Sequence, residues 1–246
     1  MAQWLNARVA GRRDWTETLF SLQLQAPPFD FVAGQFVRLG LTLPNGRAQR
    51  AYSLVNPPGA ALLDVLVTKV DDGKLTPALH QLQVGDSLEV SQPASGFFTL
   101  NEVPDADRLW LLATGTGIGP FLSILGTDEP WQRFRRVHLV HGVRQQADLA
   151  YRQQIEQLVE RRGGQLRYQP VVTRETVPGA LNGRLPALLK TGELADALED
   201  KLDTDCQLML CGNPEMIRDA QTVLAEQGLN KNLRRQPGHV TVEQYW

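Results

Sequence analysis

The pattern of apolar and polar positions changes character near residue 104. Before that point, short segments of alternating apolar and polar residues are separated by Gly, Pro and Asn, which is typical of an antiparallel barrel or sandwich. One short helix is predicted late in this part of the chain, with Thr76 as its N-cap and Pro77 as its first residue. The predicted strands span residues 6–10, 19–25, 35–43, 50–55, 62–70 and 87–92.

Beyond residue 104, apolar strands alternate with helical segments. This alternation indicates a parallel sheet with helices on both faces. We therefore predict two domains, an antiparallel β-barrel over residues 1–103 and an α/β nucleotide-binding domain over residues 104–246. The predicted strands of the second domain cover residues 109–113, 137–141, 166–172 and 207–211, and its predicted helices cover residues 120–125, 148–161, 185–191 and 214–227.

Composition narrows the classes of function. The 25 basic and 27 acidic residues leave a net charge of −2, so no overall field favours a nucleic acid or an anionic membrane as partner. Residues 1–13 contain no apolar run, and no stretch of the chain reaches the ~20 apolar residues of a membrane span. We therefore expect a cytoplasmic protein.

Cysteine and histidine spacing predicts no metal site. Two cysteines, Cys206 and Cys211, are too few for an iron–sulfur cluster, and their positions on one predicted strand are poor for a disulfide. His138 and His141 are three residues apart on another predicted strand, so their side chains point to opposite faces. The pattern assigns the histidines no functional role.

The run Arg50-Ala51-Tyr52-Ser53 combines a guanidinium, an aromatic ring and a hydroxyl within four residues. Strand alternation places Arg50 and Tyr52 on one face, where the ring suits stacking on a flavin and the guanidinium suits its phosphates. An ordinary edge strand with a surface Arg and a half-buried Tyr would show the same residues.

Residues 73–77 (Gly-Lys-Leu-Thr-Pro) form a predicted turn that leads into the short helix. A helix start offers unpaired N–H groups to a phosphate. A routine helix start would look alike, but it would not explain a second anion site in the same small domain as Arg50.

Residues 115–120 (Gly-Thr-Gly-Ile-Gly-Pro) form a glycine-rich turn between a predicted strand and a helix. The glycines allow close approach of a dinucleotide pyrophosphate, and Pro120 opens the helix. A tight turn that needs glycine for steric reasons alone is the alternative. Residues 142–144 and 212–214 also follow strands, and such ends share one edge of a parallel sheet, where ligands bind.

Arginines after the second and third strands of this domain favour NADP over NAD. NAD sites usually place an acid after the second strand, and NADP sites an Arg for the 2′-phosphate. The chain has Arg144 there, followed by Arg174 and Arg184, with Glu175 as the only nearby acid. For any one of the three taken alone, a solvated surface arginine is the favoured interpretation.

Seven motifs, in this order, resemble those of the ferredoxin–NADP⁺ reductase family, specifically its bacterial flavodoxin/ferredoxin–NADP⁺ reductases. The resemblance runs from end to end and implies a six-stranded Greek-key barrel holding FAD, followed by an NADP-binding α/β domain. The motifs are Arg50-Ala51-Tyr52-Ser53, Gly73-Lys74-Leu75-Thr76-Pro77, Gly96-Phe97-Phe98, residues 113–120, Val140-His141-Gly142-Val143-Arg144, Cys211-Gly212-Asn213-Pro214 and Val242-Glu243-Gln244-Tyr245-Trp246.

The resemblance also implies site residues. It places Tyr52, Ser53, Cys211 and Glu243 at the reacting rings, with Cys211 packing and positioning beside them rather than acting as a nucleophile. The implied FAD contacts are Arg50, Ala51, Tyr52, Ser53, Lys74, Leu75, Thr76, Thr116, Tyr245 and Trp246. The implied NADP contacts are Gly115, Gly117, Val143, Arg144, Thr173, Arg174, Arg184, Gly212, Asn213, Pro214 and Arg218.

Two features of the tail keep alternatives open. The aromatic pair Tyr245 and Trp246 is expected to fold back over the FAD. The alternative is a final strand whose aromatic side chains seal the core, and the two interpretations overlap. Glu243 suits proton exchange near the flavin, and a solvated carboxylate fits equally well.

The implied function is electron transfer between NADPH and a small acidic carrier, flavodoxin or ferredoxin, by hydride transfer to flavin and then single-electron steps. Residues 231–235 are the first candidate for steering the carrier, with Arg8, Arg12 and Arg13 second. A monomer is expected. The alternatives are the reductase component of an oxygenase or a free flavin reductase, and, outside enzymes, a nucleotide-sensing subunit.

Overall fold

The computed structural model describes residues 3–245. The chain divides into two compact units, the first reaching to Thr99 and including Gly119–Thr127, the second formed by Leu100–Ile118 and the described chain from Asp128 onward. The single domain boundary that we placed between residues 103 and 104 stays a prediction.

The first unit is a six-stranded antiparallel sheet in Greek-key order. Its order is β4-β3-β6-β1-β2-β5, so β6 returns to lie between β1 and β3. A bridge between Leu54 and Val65 joins the two edges of the sheet, as the predicted barrel requires. The strands are β1 (Gln3–Asp14), β2 (Leu19–Gln25), β3 (Phe36–Leu43), β4 (Gly46–Ser53), β5 (Leu63–Thr68) and β6 (Ser87–Gln92).

Alternate strand residues fill the core of this unit; Phe20, Leu22 and Leu24 are fully buried. The short helix α1 (Thr76–Gln81) begins after Leu75, and the prediction that Thr76 is its N-cap is wrong. The Thr76 hydroxyl accepts a hydrogen bond from Val70 N at 3.0 Å and lies 3.2 Å from Val70 O. The preceding turn folds back on the helix start, so the Thr76 hydroxyl bonds to the Val70 backbone and does not cap the helix.

The second unit is a six-stranded parallel sheet in the order β10-β9-β8-β7-β11-β12, as the strand–helix alternation predicted. On one face, Leu112, Val140 and Leu210 of the sheet form a buried cluster with Leu188 and Ile217 of the helices. The strands are β7 (Arg108–Thr114), β8 (Arg136–Val143), β9 (Leu166–Val172), β10 (Leu181–Asn182), β11 (Cys206–Gly212) and β12 (Val240–Gln244).

Helices follow the strands of this half of the sequence. They are α2 (Ile118–Leu125), α3 (Glu129–Arg133), α4 (Arg152–Arg162), α5 (Leu185–Thr191), α6 (Glu193–Ala197) and α7 (Pro214–Glu226). We predicted a helix from residue 148, but α4 begins at Arg152 because Tyr151 has a φ of 61°, which no α-helix accepts. Among residues 3–245, no helix is long and apolar enough to cross a membrane.

Candidate functional site

The carboxyl ends of β7, β8, β9 and β11 meet at one edge of the parallel sheet. This edge therefore brings together the 115–117 turn, Arg144, the loop at 173–174 and the 212–214 segment. Parallel α/β sheets bind ligands at this edge because loops converge there and helices begin there. The convergence expected from the sequence is present.

Two glycines of the 115–117 turn serve different purposes. Gly115 is exposed and has a φ of 55°. Apart from its two chain neighbours, no atom of the described residues lies within 4 Å of where its Cβ would be. A Cβ on Gly117 would collide with the carbonyl group of Cys211. The steric explanation therefore holds for Gly117, whereas Gly115 leaves its side of the turn open to a ligand.

The end of β11 is joined to the end of β7 through Thr114, a residue that the sequence analysis missed. Asn213 N donates to Thr114 Oγ1 at 2.9 Å, and a side chain on Gly212 would collide with that hydroxyl. The Asn213 side chain accepts from Glu215 N at 2.8 Å and from Met216 N. Asn213 is thus the N-cap of α7, as predicted, with Pro214 opening the helix.

Three exposed arginines lie on successive loops at this edge. Arg144 follows β8, Arg174 follows β9, and Arg184 directly precedes α5. Arg174 N donates to the Arg144 carbonyl at 2.9 Å, which ties the first two loops together. Within residues 3–245, none of the three guanidinium groups has a hydrogen-bond or ion-pair partner. The edge therefore holds three uncompensated positive charges, which favour an anion with several charges.

The other residues predicted at this edge present fewer free side-chain groups to a ligand. The Val143 side chain is buried against Val172 and Val177, so only its backbone could reach a ligand. The Val143 carbonyl accepts from both the backbone and the hydroxyl of Thr173, at 3.1 and 3.3 Å. Arg218 is exposed on α7.

Cys211 lies beside the tail of the chain. It pairs in register with Glu243 across β11 and β12, and Tyr245 N donates to Gly212 O at 3.1 Å. Burial raises the pKa of the Cys211 thiol well above its usual value, the Glu243 charge raises it further, and a side-chain hydrogen bond with Tyr245 acts against both. The thiol therefore stays protonated. Residues Val240–Gln244 of the tail form strand β12. Trp246 lies outside the described residues.

In the first unit, Arg50 and Tyr52 lie two residues apart on β4. Arg50 is exposed, and its Nη1 donates to Gln49 O at 2.8 Å. Tyr52 is half-buried against the barrel core, and burial raises its pKa to about 12 although the Arg50 charge lowers it. Its hydroxyl is therefore a permanent hydrogen-bond donor. Ala51 is exposed and Ser53 is buried.

The 73–77 turn presents less side-chain chemistry than expected. Lys74 is exposed, and its ammonium has no partner in the part of the chain that the structure describes. The Leu75 side chain is a core residue, 1% exposed, and the Thr76 hydroxyl is bound to Val70. Lys74 and backbone groups are what this turn offers an anion. Thr116 is half-exposed in its own turn.

Both strand histidines have contacts that the sequence did not indicate. His138 Nε2 lies 2.7 Å from Asp200 Oδ2, and His141 Nε2 lies 3.0 Å from Gly115 O. Cys206 and Cys211 are free. No cluster of three or more metal-ligating side chains occurs among the described residues.

Two family models match the chain in sequence order. The model described as an oxidoreductase FAD-binding domain matches residues 6–98, and the oxidoreductase NAD-binding domain matches residues 111–222. The two matches fall on the antiparallel sheet and on the parallel sheet.

Individual relatives match the chain along its whole length. The flavodoxin/ferredoxin–NADP reductases of Shigella flexneri and Escherichia coli K12 are 48% and 47% identical to it, with both chains of each pair covered completely. A crystal structure of a ferredoxin NADP⁺ reductase from Neisseria gonorrhoeae, with bound FAD and NADP, is 33% identical, with full coverage of both chains and a TM-score of 0.95. The chain therefore belongs to the flavodoxin/ferredoxin–NADP reductase family.

Proposed function

We propose that this protein is an FAD-containing oxidoreductase that passes electrons between NADPH and a small carrier protein, flavodoxin or ferredoxin. Family membership supports the reaction class. The observation that carries the nucleotide assignment is the set of three arginines, Arg144, Arg174 and Arg184, without partners among residues 3–245.

The carboxyl edge of the parallel sheet fits NADP(H). The open side of Gly115 leaves room for a pyrophosphate beside the backbone N–H groups of the 115–117 turn. The three arginines would hold the 2′-phosphate, a dianion that NAD lacks. Gly117, Val143, Thr173, Gly212, Asn213, Pro214 and Arg218 complete the proposed NADP site.

The barrel unit fits FAD. Arg50 and Lys74 are exposed cations without carboxylate partners in the described structure, as diphosphate binding requires. Tyr52 presents an aromatic ring and a permanent donor. When bound, FAD supplies the conversion between the paired electrons of NADPH and the single electrons of a carrier. The other proposed FAD contacts are Ala51, Ser53, Leu75, Thr76, Thr116, Tyr245 and Trp246.

Three side chains are proposed to lie at the reacting rings, and their protonation states define what each can do. Tyr52 keeps its Oη proton throughout the physiological pH range, so its ring stays neutral. Cys211 keeps its Sγ proton, which excludes thiolate chemistry and leaves a small neutral packing surface. Glu243 lies across the strand pair from Cys211 and carries the carboxylate that we propose for proton exchange.

The 231–235 segment is the proposed steering site for an acidic carrier. Lys231 and Arg235 are exposed and unpaired in the described structure, whereas Arg234 is bound to Glu102 at 2.9 Å. Unpaired charges act at longer range than neutralised ones and accelerate encounter at low salt.

The second predicted steering cluster, Arg8, Arg12 and Arg13, has fewer unpaired charges to offer a carrier. Arg12 is held by Asp14 at 2.6 Å and by backbone carbonyls, and Arg13 lies over the Trp15 ring at 3.7 Å. Arg8 is exposed and remains available. We propose a cytoplasmic monomer whose macromolecular partner is the carrier and not a nucleic acid.

Stopped-flow bleaching of the purified yellow protein tests the proposal. Absorbance near the flavin band is followed after mixing with NADPH or NADH, and then flavodoxin or free FMN is added as acceptor. We expect bleaching by NADPH far faster than by NADH, and faster reduction of flavodoxin than of FMN. A protein that takes up no FAD contradicts the function, and preferential FMN reduction indicates a free flavin reductase instead.

A further inference from the structure

His141 lies beneath the 115–117 turn. The residue is on β8, its side chain is fully buried, and its Nε2 lies 3.0 Å from the carbonyl oxygen of Gly115. A carbonyl oxygen only accepts hydrogen bonds, so Nε2 carries the ring proton. Burial lowers the pKa of His141 to about 4, which keeps the ring neutral at physiological pH. Nδ1 is buried and has no partner within residues 3–245.

The Gly115 carbonyl controls the orientation of the next N–H group. A peptide group is planar and trans, so the Gly115 oxygen and the Thr116 N–H point in opposite directions within one plane. His141 and Ile118 N both donate to that oxygen and hold it toward the interior of the unit. The Thr116 N–H therefore points the opposite way, away from the His141 ring.

This constraint matters because Gly115 itself provides little rigidity. Glycine populates positive and negative φ about equally, so the φ of 55° is not imposed by the residue. Apart from its two chain neighbours, no atom of residues 3–245 lies within 4 Å of its Cβ position, so no other described side chain limits the peptide on that side. Within residues 3–245, the hydrogen bond from His141 is the side-chain contact that holds this peptide plane, together with the backbone bond from Ile118 N.

We propose that His141 is a positioning residue that fixes the Gly115–Thr116 peptide so that its N–H group is ready to bind the nucleotide pyrophosphate. The inference rests on the proposed NADP site, and it concerns the pyrophosphate that NADP and NAD share. Loss of His141 should therefore weaken both nucleotides by the same factor. Loss of an arginine at the 2′-phosphate should weaken NADP alone.

Two substitutions separate the hydrogen bond from the volume of the ring. His141→Met keeps an apolar side chain of similar size and removes the donor. His141→Gln places an amide nitrogen near the position of Nε2 and keeps the donor. His138→Met is the matched control, because His138 is equally buried on the same strand but contacts Asp200 at the other edge of the sheet.

Dissociation constants for NADP⁺ and NAD⁺ are measured on the FAD-loaded proteins by flavin difference spectra and by calorimetry, together with unfolding temperatures. We expect His141→Met to weaken both nucleotides roughly twofold to tenfold, the range for one lost neutral hydrogen bond. His141→Gln should restore most of that loss. His138→Met should lower the unfolding temperature without changing either dissociation constant.

Three outcomes contradict this expectation. Unchanged NADP⁺ binding in His141→Met, with normal binding in the parent, overturns the positioning role alone. Equal weakening by His138→Met overturns it as well, since the effect would then reflect general loosening of the sheet. Absence of NADP⁺ binding in the parent overturns the proposed function, and the positioning role with it.

Discussion

The arginines at the two edges of the parallel sheet differ in burial and in ion pairing. At the amino edge, Arg108 is 4% exposed and bonds to Asp200 Oδ1 at 2.8 Å, to Lys201 O at 2.8 Å and to Asp203. At the carboxyl edge, the three arginines are exposed and lack partners in the described structure. Charges that hold the fold together are compensated inside the protein, and charges left uncompensated are available to a ligand.

The two histidines of β8 repeat this contrast. His138 donates its ring proton to the carboxylate of Asp200 in the amino-edge cluster, whereas His141 donates to a backbone carbonyl under the carboxyl-edge turn. Both rings are fully buried. The same residue type on one strand therefore supports an ion cluster at one end and a binding turn at the other.

The largest expected effect is on stability at the amino edge. Asp200→Asn removes the carboxylate that faces both Arg108 and His138. Because Arg108 is then buried with less compensation, we expect a loss of about 3–5 kcal/mol in the free energy of unfolding. Urea unfolding of the FAD-loaded protein measures this loss.

Arg135→Ala is the control for that substitution. Arg135 belongs to the same edge but pairs with Asp107 on the surface, with 59% of its side chain exposed. We expect the free energy of unfolding to change by less than about 1 kcal/mol. Equal losses for the two variants would show that the buried cluster contributes nothing beyond an ordinary surface pair.

Acid should destabilise the protein through its buried histidines. The folded pKa of His141 is about 4, against 6.5 for a free histidine, so between these values the unfolded chain binds more protons than the folded one. Its contribution is complete above pH 6.5 and is lost as pH falls toward 4, by roughly 3 kcal/mol in total. Burial lowers the pKa of His138 as well, which acts in the same direction.

Unfolding free energies of the parent and His141→Gln at pH 7 and pH 4.5 check this prediction. The variant should lose less stability between the two values, by roughly 2 kcal/mol. Parallel losses in parent and variant would mean that His141 takes up its proton as readily in the folded protein as in the unfolded chain.

At the carboxyl edge, Arg144→Ala should change nucleotide preference and leave stability alone. The substitution removes a charge-assisted contact of about 1.5–3 kcal/mol, which corresponds to roughly tenfold to a hundredfold weaker NADPH binding. NADH binding should stay as it is in the parent, because NADH has no 2′-phosphate. Stopped-flow bleaching at varied concentrations of each nucleotide measures both, and similar weakening of the two would refute the 2′-phosphate assignment.

The smallest effects are expected in the 231–235 segment, where paired and unpaired arginines are adjacent. Arg234→Ala should lower the free energy of unfolding by less than about 1 kcal/mol, because the ion pair between Arg234 and Glu102 is exposed. Arg235→Ala should slow carrier reduction by a few-fold at low salt, with the difference vanishing as ionic strength rises. An unchanged rate at low salt would remove this segment from the carrier site.

Much of the fold was predictable because its signals are local. Strand alternation in the barrel and strand–helix alternation in the parallel sheet each depend on a few neighbouring residues. The Asn213 cap was predictable for the same reason, since it bonds to N–H groups two and three residues ahead. The N-cap at Thr76 failed because Val70, six residues earlier, takes the hydroxyl.

The sequence alone determined the order of strands and helices, the turns that need glycine, and the arginines that follow consecutive strands. Only the tertiary structure decided which of those charges are compensated and which contacts stiffen the turns. The partners involved are far apart in sequence: 26 residues separate His141 from Gly115, 92 separate Arg108 from Asp200, and 99 separate Thr114 from Asn213. Local propensity carries no information about such pairs, because they form only when the sheet brings distant strands side by side.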